Sequence, residues 1–354
     1  MEKRLVFKTI RHIVGREICH YADGNILITS KYRSVFVLRN GLESVIELPD
    51  NGYSFPGRFR LFRRVLRLDK CNVLPVGEDL ENLVIVRNGK VYYYDGHNKS
   101  LTETLSLRNC RTVLHQSICV LDKKTIFLGE YGANISRAEV PVYRSVDGGK
   151  SWQIVFRFPA GKIRHVHGCY WDPFEEYLWI LTGDFAGECY MLVVDRDFQN
   201  TTWLGDGTQM WRACNVFFEK DRVVWIMDSQ LEDSHPVILD RVTKQTRKLA
   251  PFPGPVWYIK RLDDGYYLAG TACEVGPGVK DEYAHLLVSR DLERWLEVQR
   301  YRHDGLPKRY FKFGVIGFSD GLQRSESFYV FGEAIKGLDG QVYECCLREV
   351  EALT

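Results

Sequence analysis

Apolar residues along this chain come in short runs of six or seven, separated by turns rich in Asp, Gly and Asn; the i, i+3, i+4 spacing of amphipathic helices is nearly absent. One unit recurs: a strand, a polar turn, then a second strand that climbs through apolar residues and ends on a small or acidic one. The turns are Asp23-Gly24, Asp69-Lys70, Asp122-Lys123, Asp172-Pro173, Lys220-Asp221, Asp264-Gly265 and Asp320-Gly321, about 44 to 56 residues apart. The second strands are Asn25–Ser30, Asn72–Glu78, Thr125–Glu130, Leu178–Asp184, Val223–Asp228, Tyr266–Thr271 and Phe328–Glu333. That period suits four-stranded blades, so the expected fold is an all-β, seven-bladed β-propeller forming one domain over 1–354. The blades fall at roughly 11–55, 58–108, 111–160, 163–207, 211–252, 255–305 and 309–348. The last unit shows three clear strands, ending near Gln341–Leu347, and the strand Arg4–Ile10 has no unit of its own. Pairing the N-terminal strand into the last blade, as its outer edge, would close the ring and leave no unpaired edges.

In the third unit, Ser145-Val146-Asp147-Gly148-Gly149-Lys150-Ser151-Trp152 follows the pattern S-x-D-x-G-x-x-W. Its chemistry is that of a tight hairpin turn. Asp147 accepts turn N–H groups, Gly148 and Gly149 permit positive φ, and Trp152 folds back onto the blade. Ser289-Arg290-Asp291 with Trp295 is a copy one residue short. On these residues the chain resembles the sialidase-like, or BNR (Asp-box) repeat, β-propeller superfamily, over nearly its whole length. The resemblance implies that Ser145, Asp147 and Trp152 are structural. It also implies a range of activities: sialidases and other glycosidases, polysaccharide lyases, and non-catalytic assembly factors. The sialidase pattern itself is met in part only, with one intact box, no Arg-Ile-Pro near the start and no Tyr–Glu pair.

Composition narrows the classes. Aromatics make up 13%, which suits pleated sheets, and the net charge of +2 supplies no long-range field for nucleic acid or an anionic membrane. The segment Met1–Val14 is broken by Lys8, Arg11 and His12, so no secretory signal is expected. No run of 18 apolar residues is present. Ten cysteines lack framework spacing and CxxC pairs, which points to buried free thiols and a cytoplasmic setting, a cleaved secreted form being the alternative.

Neighbouring strands of a blade are antiparallel, so the start of each inner strand lies beside the end of the second strand. Alignment on the turns puts Arg16, Arg63, His115, His165, Arg212, Trp257 and Lys312 at inner-strand starts, facing Glu78, Glu130, Asp184, Asp228 and Glu333. The densest sector joins His115, His165, His167 and Arg212 to Glu130, Tyr131, Asp184 and Asp228. Strand alternation places His165 and His167 on one face. Such imidazoles can act as general acid and base, or ligate a divalent metal with Glu130 as third ligand. Arg212, with His115, Asp228, Arg63, Arg16 and Lys312, would hold an acidic substrate, and Trp257 would stack on a sugar ring. The plainer assignment for each residue is a hydrogen-bonded core histidine or an ion pair between blades. The Arg58, Arg60, Arg63, Arg64 and Arg67 run is expected on a solvated blade edge, and His303-Asp304 on the surface.

Two functions follow. The first is a carbohydrate-active enzyme that cleaves glycosidic bonds of an acidic oligo- or polysaccharide. As a glycosidase it would use Glu130 and Asp184; as a uronate lyase it would use His165 or His167 with Tyr131. The second is a non-catalytic propeller that binds a protein or glycan, marked by site residues tied up in ion pairs and by an exposed apolar patch elsewhere.

Overall fold

The computed structural model describes residues 3–50, 52 and 55–351. Among the described residues the chain is all-β: 28 strands lie in small antiparallel sheets, and 5% of residues are helical. Two compact units are formed, one from the residues through Asp69 together with those from Phe252 on, the other from Lys70–Pro251.

The first unit holds three sets of four strands. Ile18–Asp23, Ile26–Lys31, Ser34–Arg39 and Leu42–Glu47 pair in chain order. So do Val256–Arg261, Tyr267–Cys273, Tyr283–Ser289 and Leu296–Arg302. The third set is Gly314–Phe318, Phe328–Glu333 and Val342–Glu351, with Lys3–His12 as its fourth strand, antiparallel to Val342–Glu351. The expected pairing of the N-terminal strand with the last unit is therefore present. A short bridge, Ala272 to Val315 and Cys273 to Gly314, merges the second and third sets into one eight-stranded sheet.

The second unit holds four four-stranded sheets, each again in chain order. They are Asn72–Val76, Asn82–Arg87, Lys90–Asp95 and Ser100–Ser106; Cys119–Val120, Ile126–Gly129, Val140–Ser145 and Gln153–Phe158; His165–Asp172, Tyr177–Gly183, Cys189–Val194 and Thr201–Gly207; and Ala213–Phe218, Arg222–Met227, Pro236–Asp240 and Thr246–Lys248. Apolar side chains of facing sheets fill the space between them. Phe127, Val142, Val166, Leu178 and Ile180, from two neighbouring sheets, share one cluster and are essentially solvent-free. Each such burial contributes about 1.5–3 kcal/mol.

The turns form as their chemistry dictates. Asp23 Oδ1 accepts the N–H groups of Asn25 and Ile26, Asp122 Oδ1 those of Lys124 and Thr125, and Asp240 Oδ1 those of Val242 and Thr243. In the Ser145–Trp152 hairpin, Asp147 Oδ1 accepts Ser151 N–H at 2.9 Å, and Trp152 Nε1–H reaches back to Gly149 O at 3.2 Å. The shorter copy repeats the closure, with Trp295 Nε1–H to Leu292 O at 3.2 Å and Leu292 at φ 61° where the first has Gly149.

The second repeat departs from expectation. The Arg58–Arg67 stretch is no strand edge: Arg60–Leu66 is an α-helix (α1), ended by Arg67 in the left-handed region. The strand Asn72–Val76 is accordingly the first of its sheet, not the second, and Glu78 follows a first strand. Arg60, Arg63, Arg64 and Arg67 recur at i, i+3, i+4 and i+7, a helical stripe that a reading by alternation splits between two faces. Arg63 and Arg64 are 4% and 5% exposed, which overturns the solvated reading. Arg63 Nε lies 2.6 Å from Asp69 and its Nη2 bonds Glu17; Arg60 holds Asp339 through two bonds of 2.9 Å; Arg64 Nη1 lies 2.7 Å from Asp304. Asp304 is thus half-buried, and His303 beside it is buried, not on the surface.

Candidate functional site

Within the second unit, the strand His165–Asp172 pairs with Tyr177–Gly183 so that His165 stands opposite Gly183, and Ala213 stands opposite Met227 in the next sheet. This register sets Asp184 and Asp228, each one residue beyond its strand, beside His165 and Arg212. The pairing then slips between Val166 and Gly168, making His167 the extra residue of a β-bulge. A bulge re-aims the side chain it carries. Here it swings His167 toward the same carboxylate as His165, and the two rings lie 5.0 Å apart.

Asp184 is the hub. Its Oδ2 takes Arg164 Nη1 at 2.7 Å, and its Oδ1 faces His167 Nε2 at 3.1 Å, His165 Nε2 at 3.3 Å and Arg212 Nη2 at 3.4 Å. Its backbone carbonyl accepts Gln209 Nε2–H at 3.0 Å and Arg212 Nη1–H at 3.2 Å. Burial pushes the Asp184 carboxyl up, but the two imidazoles facing it outweigh that and hold the group well below the ordinary range. Burial lowers His165 despite Asp184, favouring the neutral ring. Both rings present Nδ1 to a backbone carbonyl, His165 to Gly132 O at 2.7 Å and His167 to Ala213 O at 2.9 Å. That contact takes up the Nδ1 side of each ring and turns each Nε2 toward Asp184. His165 Nε2 is buried without a hydrogen-bond partner.

Asp228 is buried against Arg212 Nη2 at 3.3 Å and accepts the Cys214 thiol at 3.2 Å; desolvation raises its carboxyl and Arg212 opposes the shift. Glu130 does not join the histidines. Its oxygens accept Arg108 N–H at 2.9 Å, Asn109 N–H at 3.3 Å and the Tyr143 hydroxyl at 2.8 Å, so it anchors a loop. Tyr131 lays its ring 4.2 Å from that of His165. His115 sits half-buried in a turn ahead of the strand Cys119–Val120.

The remaining predicted residues belong to the first unit. Trp257 is the bulged residue of its strand and donates Nε1–H to Glu274 at 2.7 Å. Lys312 is buried on Glu333 at 3.2 Å, Arg16 binds Glu43 at 2.6 Å over the Phe36 ring, and Arg63 lies in the α1 ion network. Arg164 and Gln209 escaped the sequence reading. Arg164 directly precedes His165, so the spacing Arg-His-x-His was its available signal.

The cluster is closely packed. His165, His167 and Arg212 are 3%, 1% and 5% exposed, and the cavity bordering His165, Arg164, Gly132 and Glu130 measures 10 Å³, about one water molecule.

No protein-family profile and no curated protein matches the sequence. Solved structures do match in shape. The extracellular domain of the one-component system BT4673 from B. thetaiotaomicron is 12% identical with a TM-score of 0.56, over 96% of this chain and 39% of that one. The AfRom2 CNH domain is 9% identical with a TM-score of 0.53 over 100% of both chains. A prolyl endopeptidase is 10% identical with a TM-score of 0.56, over 94% of this chain and 49% of that one. The chain thus spans well under two thirds of two of these neighbours. The likeness shows the fold alone: a β-propeller type.

Proposed function

We propose that the chain is a non-catalytic β-propeller-type platform that binds a partner protein through the face of α1. One observation carries this reading: the helix is amphipathic in the inverted sense. Its arginines point inward, while Phe59, Leu61 and Phe62 are half exposed and Val65 is 39% exposed. Phe55, Phe59 and Phe62 form a ladder of edge-on ring contacts at 5.9 and 6.2 Å, and Tyr310 of the adjoining helix Lys308–Phe311 adds a further exposed ring. An apolar ridge of this kind on a soluble surface marks an interaction site. Exposed Arg58 and Arg309 flank it, so the complementary partner is a segment with an apolar face bordered by carboxylates.

Glycan cleavage is the competing proposal, resting on the His165–His167–Asp184 convergence. Against it stand the engagement of Glu130 and Asp184 by several donors each, and a neighbouring cavity too small for a sugar ring.

Fluorescence anisotropy with a labelled, acidic, amphipathic helical peptide tests the platform reading. The wild type should bind it, a charge-reversed peptide should bind at least tenfold more weakly, and Phe59→Ser with Phe62→Ser should lose binding at unchanged Tm. Equal binding by the variant, or binding to anionic vesicles in place of the peptide, would overturn the reading. Release of reducing ends or of unsaturated, ultraviolet-absorbing uronate from acidic oligosaccharides would establish the enzyme instead.

A further inference from the structure

We propose that His165 Nε2, His167 Nε2 and Asp184 Oδ1 form a binding site for one divalent transition-metal ion, a site independent of the α1 platform. These three atoms lie within 4.8 Å of one another. Each is a metal-ligand atom type. The backbone carbonyls of Gly132 and Ala213 take the Nδ1 side of each ring, which turns both Nε2 atoms toward one carboxylate oxygen. Arg212 Nη2 reaches that oxygen only at 3.4 Å, so a cation at the centre would bind it more closely than the guanidinium does. The second, independent observation is the orphaned His165 Nε2, on a side chain 4% exposed and aimed into the cluster.

The distances suit a metal. Ligands about 2.0–2.1 Å from a tetrahedral zinc stand about 3.3 Å apart, and the two imidazole-to-Oδ1 separations are 3.1 and 3.3 Å. The histidines are oriented as metal-bound histidines are, with the far nitrogen donating to a carbonyl. Arg164 occupies Asp184 Oδ2, the other oxygen, which orients the carboxylate and keeps Oδ1 toward the rings. Two imidazoles select Zn²⁺, Co²⁺ or Cu²⁺ over Mg²⁺ or Ca²⁺, and the nearby guanidinium groups disfavour ions held by charge alone. All three ligands come from the sheet His165–Gly207 and its connections, so the ion would be a staple within that sheet.

The test uses the full chain carrying His97→Ala, because exposed His97 with Asp79 and Glu81 is a rival cluster. After chelator treatment, the protein is titrated with Co²⁺ and then Zn²⁺. Expected are one ion per chain, the visible bands of tetrahedral cobalt without a near-ultraviolet thiolate band, and a rise in Tm with Zn²⁺. His167→Gln and Asp184→Asn should each weaken binding by about a hundredfold. Absence of saturable one-to-one binding in His97→Ala overturns the proposal. So does a thiolate band, which would move the ion to His167, Cys214 and Asp228, and so does unaltered affinity in folded His167→Gln. Should both ligand variants fail to fold, the cobalt spectrum of His97→Ala decides alone. Peptide binding at α1 is unaffected by either result, so the two proposals fail separately.

Discussion

Arg241 grips Asp172 with two parallel bonds, Nη1 to Oδ2 at 2.6 Å and Nη2 to Oδ1 at 3.0 Å, and the carboxylate is fully buried. The arginine comes from the turn of one sheet and the aspartate from the end of the first strand of its neighbour, so this fork ties two sheets of the second unit together. A buried pair broken on one side leaves a desolvated charge. Asp172→Ala should therefore cost about 3–5 kcal/mol in urea unfolding. Asp172→Leu combined with Arg241→Met should recover most of that loss. A cost below 1 kcal/mol for the single variant would show that the pair is not buried in solution.

Gly149 and Gly148 differ in a way that unfolding experiments can read. Both have positive φ, 95° and 76°, but a Cβ on Gly149 would lie 2.4 Å from Val84 Cγ2, whereas one on Gly148 meets nothing nearer than 3.8 Å. Gly149→Ala combines backbone strain with overpacking and should lose roughly 2–5 kcal/mol. Gly148→Ala carries strain alone and should lose about 1 kcal/mol. Equal losses would contradict the hairpin geometry.

All ten cysteines are buried, and none is joined in a disulfide. Burial pushes the thiols of Cys19, Cys110, Cys119, Cys189 and Cys345 up to about 12. A folded value above the unfolded one means that the stability is fully present below about pH 8.5 and declines as pH rises toward the folded value. Unfolding free energy should thus fall steeply above pH 9, by about 1.4 kcal/mol per pH unit for each such thiol. Near neutrality a thiol reagent should modify none of the ten in the native protein and all ten in urea. Rapid native labelling would count against the buried arrangement.

Lys260 works in the opposite direction. It is buried, donating Nζ–H to Ser319 O at 2.9 Å, and burial lowers its ammonium to about 8 although Asp320 pulls it up. Between about pH 8 and pH 10.4 the unfolded lysine still holds a proton that the folded one has released. Its contribution to stability therefore rises with pH there, by up to roughly 3 kcal/mol. The stability difference between the wild type and Lys260→Met should shift in favour of the wild type over that window. A pH-independent difference would show that Lys260 keeps its proton.

Much of this architecture was readable in the chain because turns are local. Asp23, Asp122, Asp172 and Asp264 each stand at the turn that follows a first strand, and the strands after them fall where alternation places them. The facing of His165 with Asp184, and of Arg212 with Asp228, was equally readable, since antiparallel pairing carries it from the turn outward. The second repeat misled because a stripe of arginines was read with a period of two when the chain there coils with a period of 3.6.

The sequence by itself determined the strand–turn repeat, the Asp-supported hairpins and the pairing of each first strand with its successor, because these depend on φ, side-chain alternation and hydrogen bonds spanning a few residues. Tertiary structure alone decided that Glu130 would be consumed by Arg108, Asn109 and Tyr143, that a bulge would turn His167 onto Asp184, and that Arg63 would find Glu17 and Asp69 in the interior. A carboxylate's role is set by whichever donors packing brings within 3 Å or so, often from twenty or more residues away. No local pattern encodes that choice.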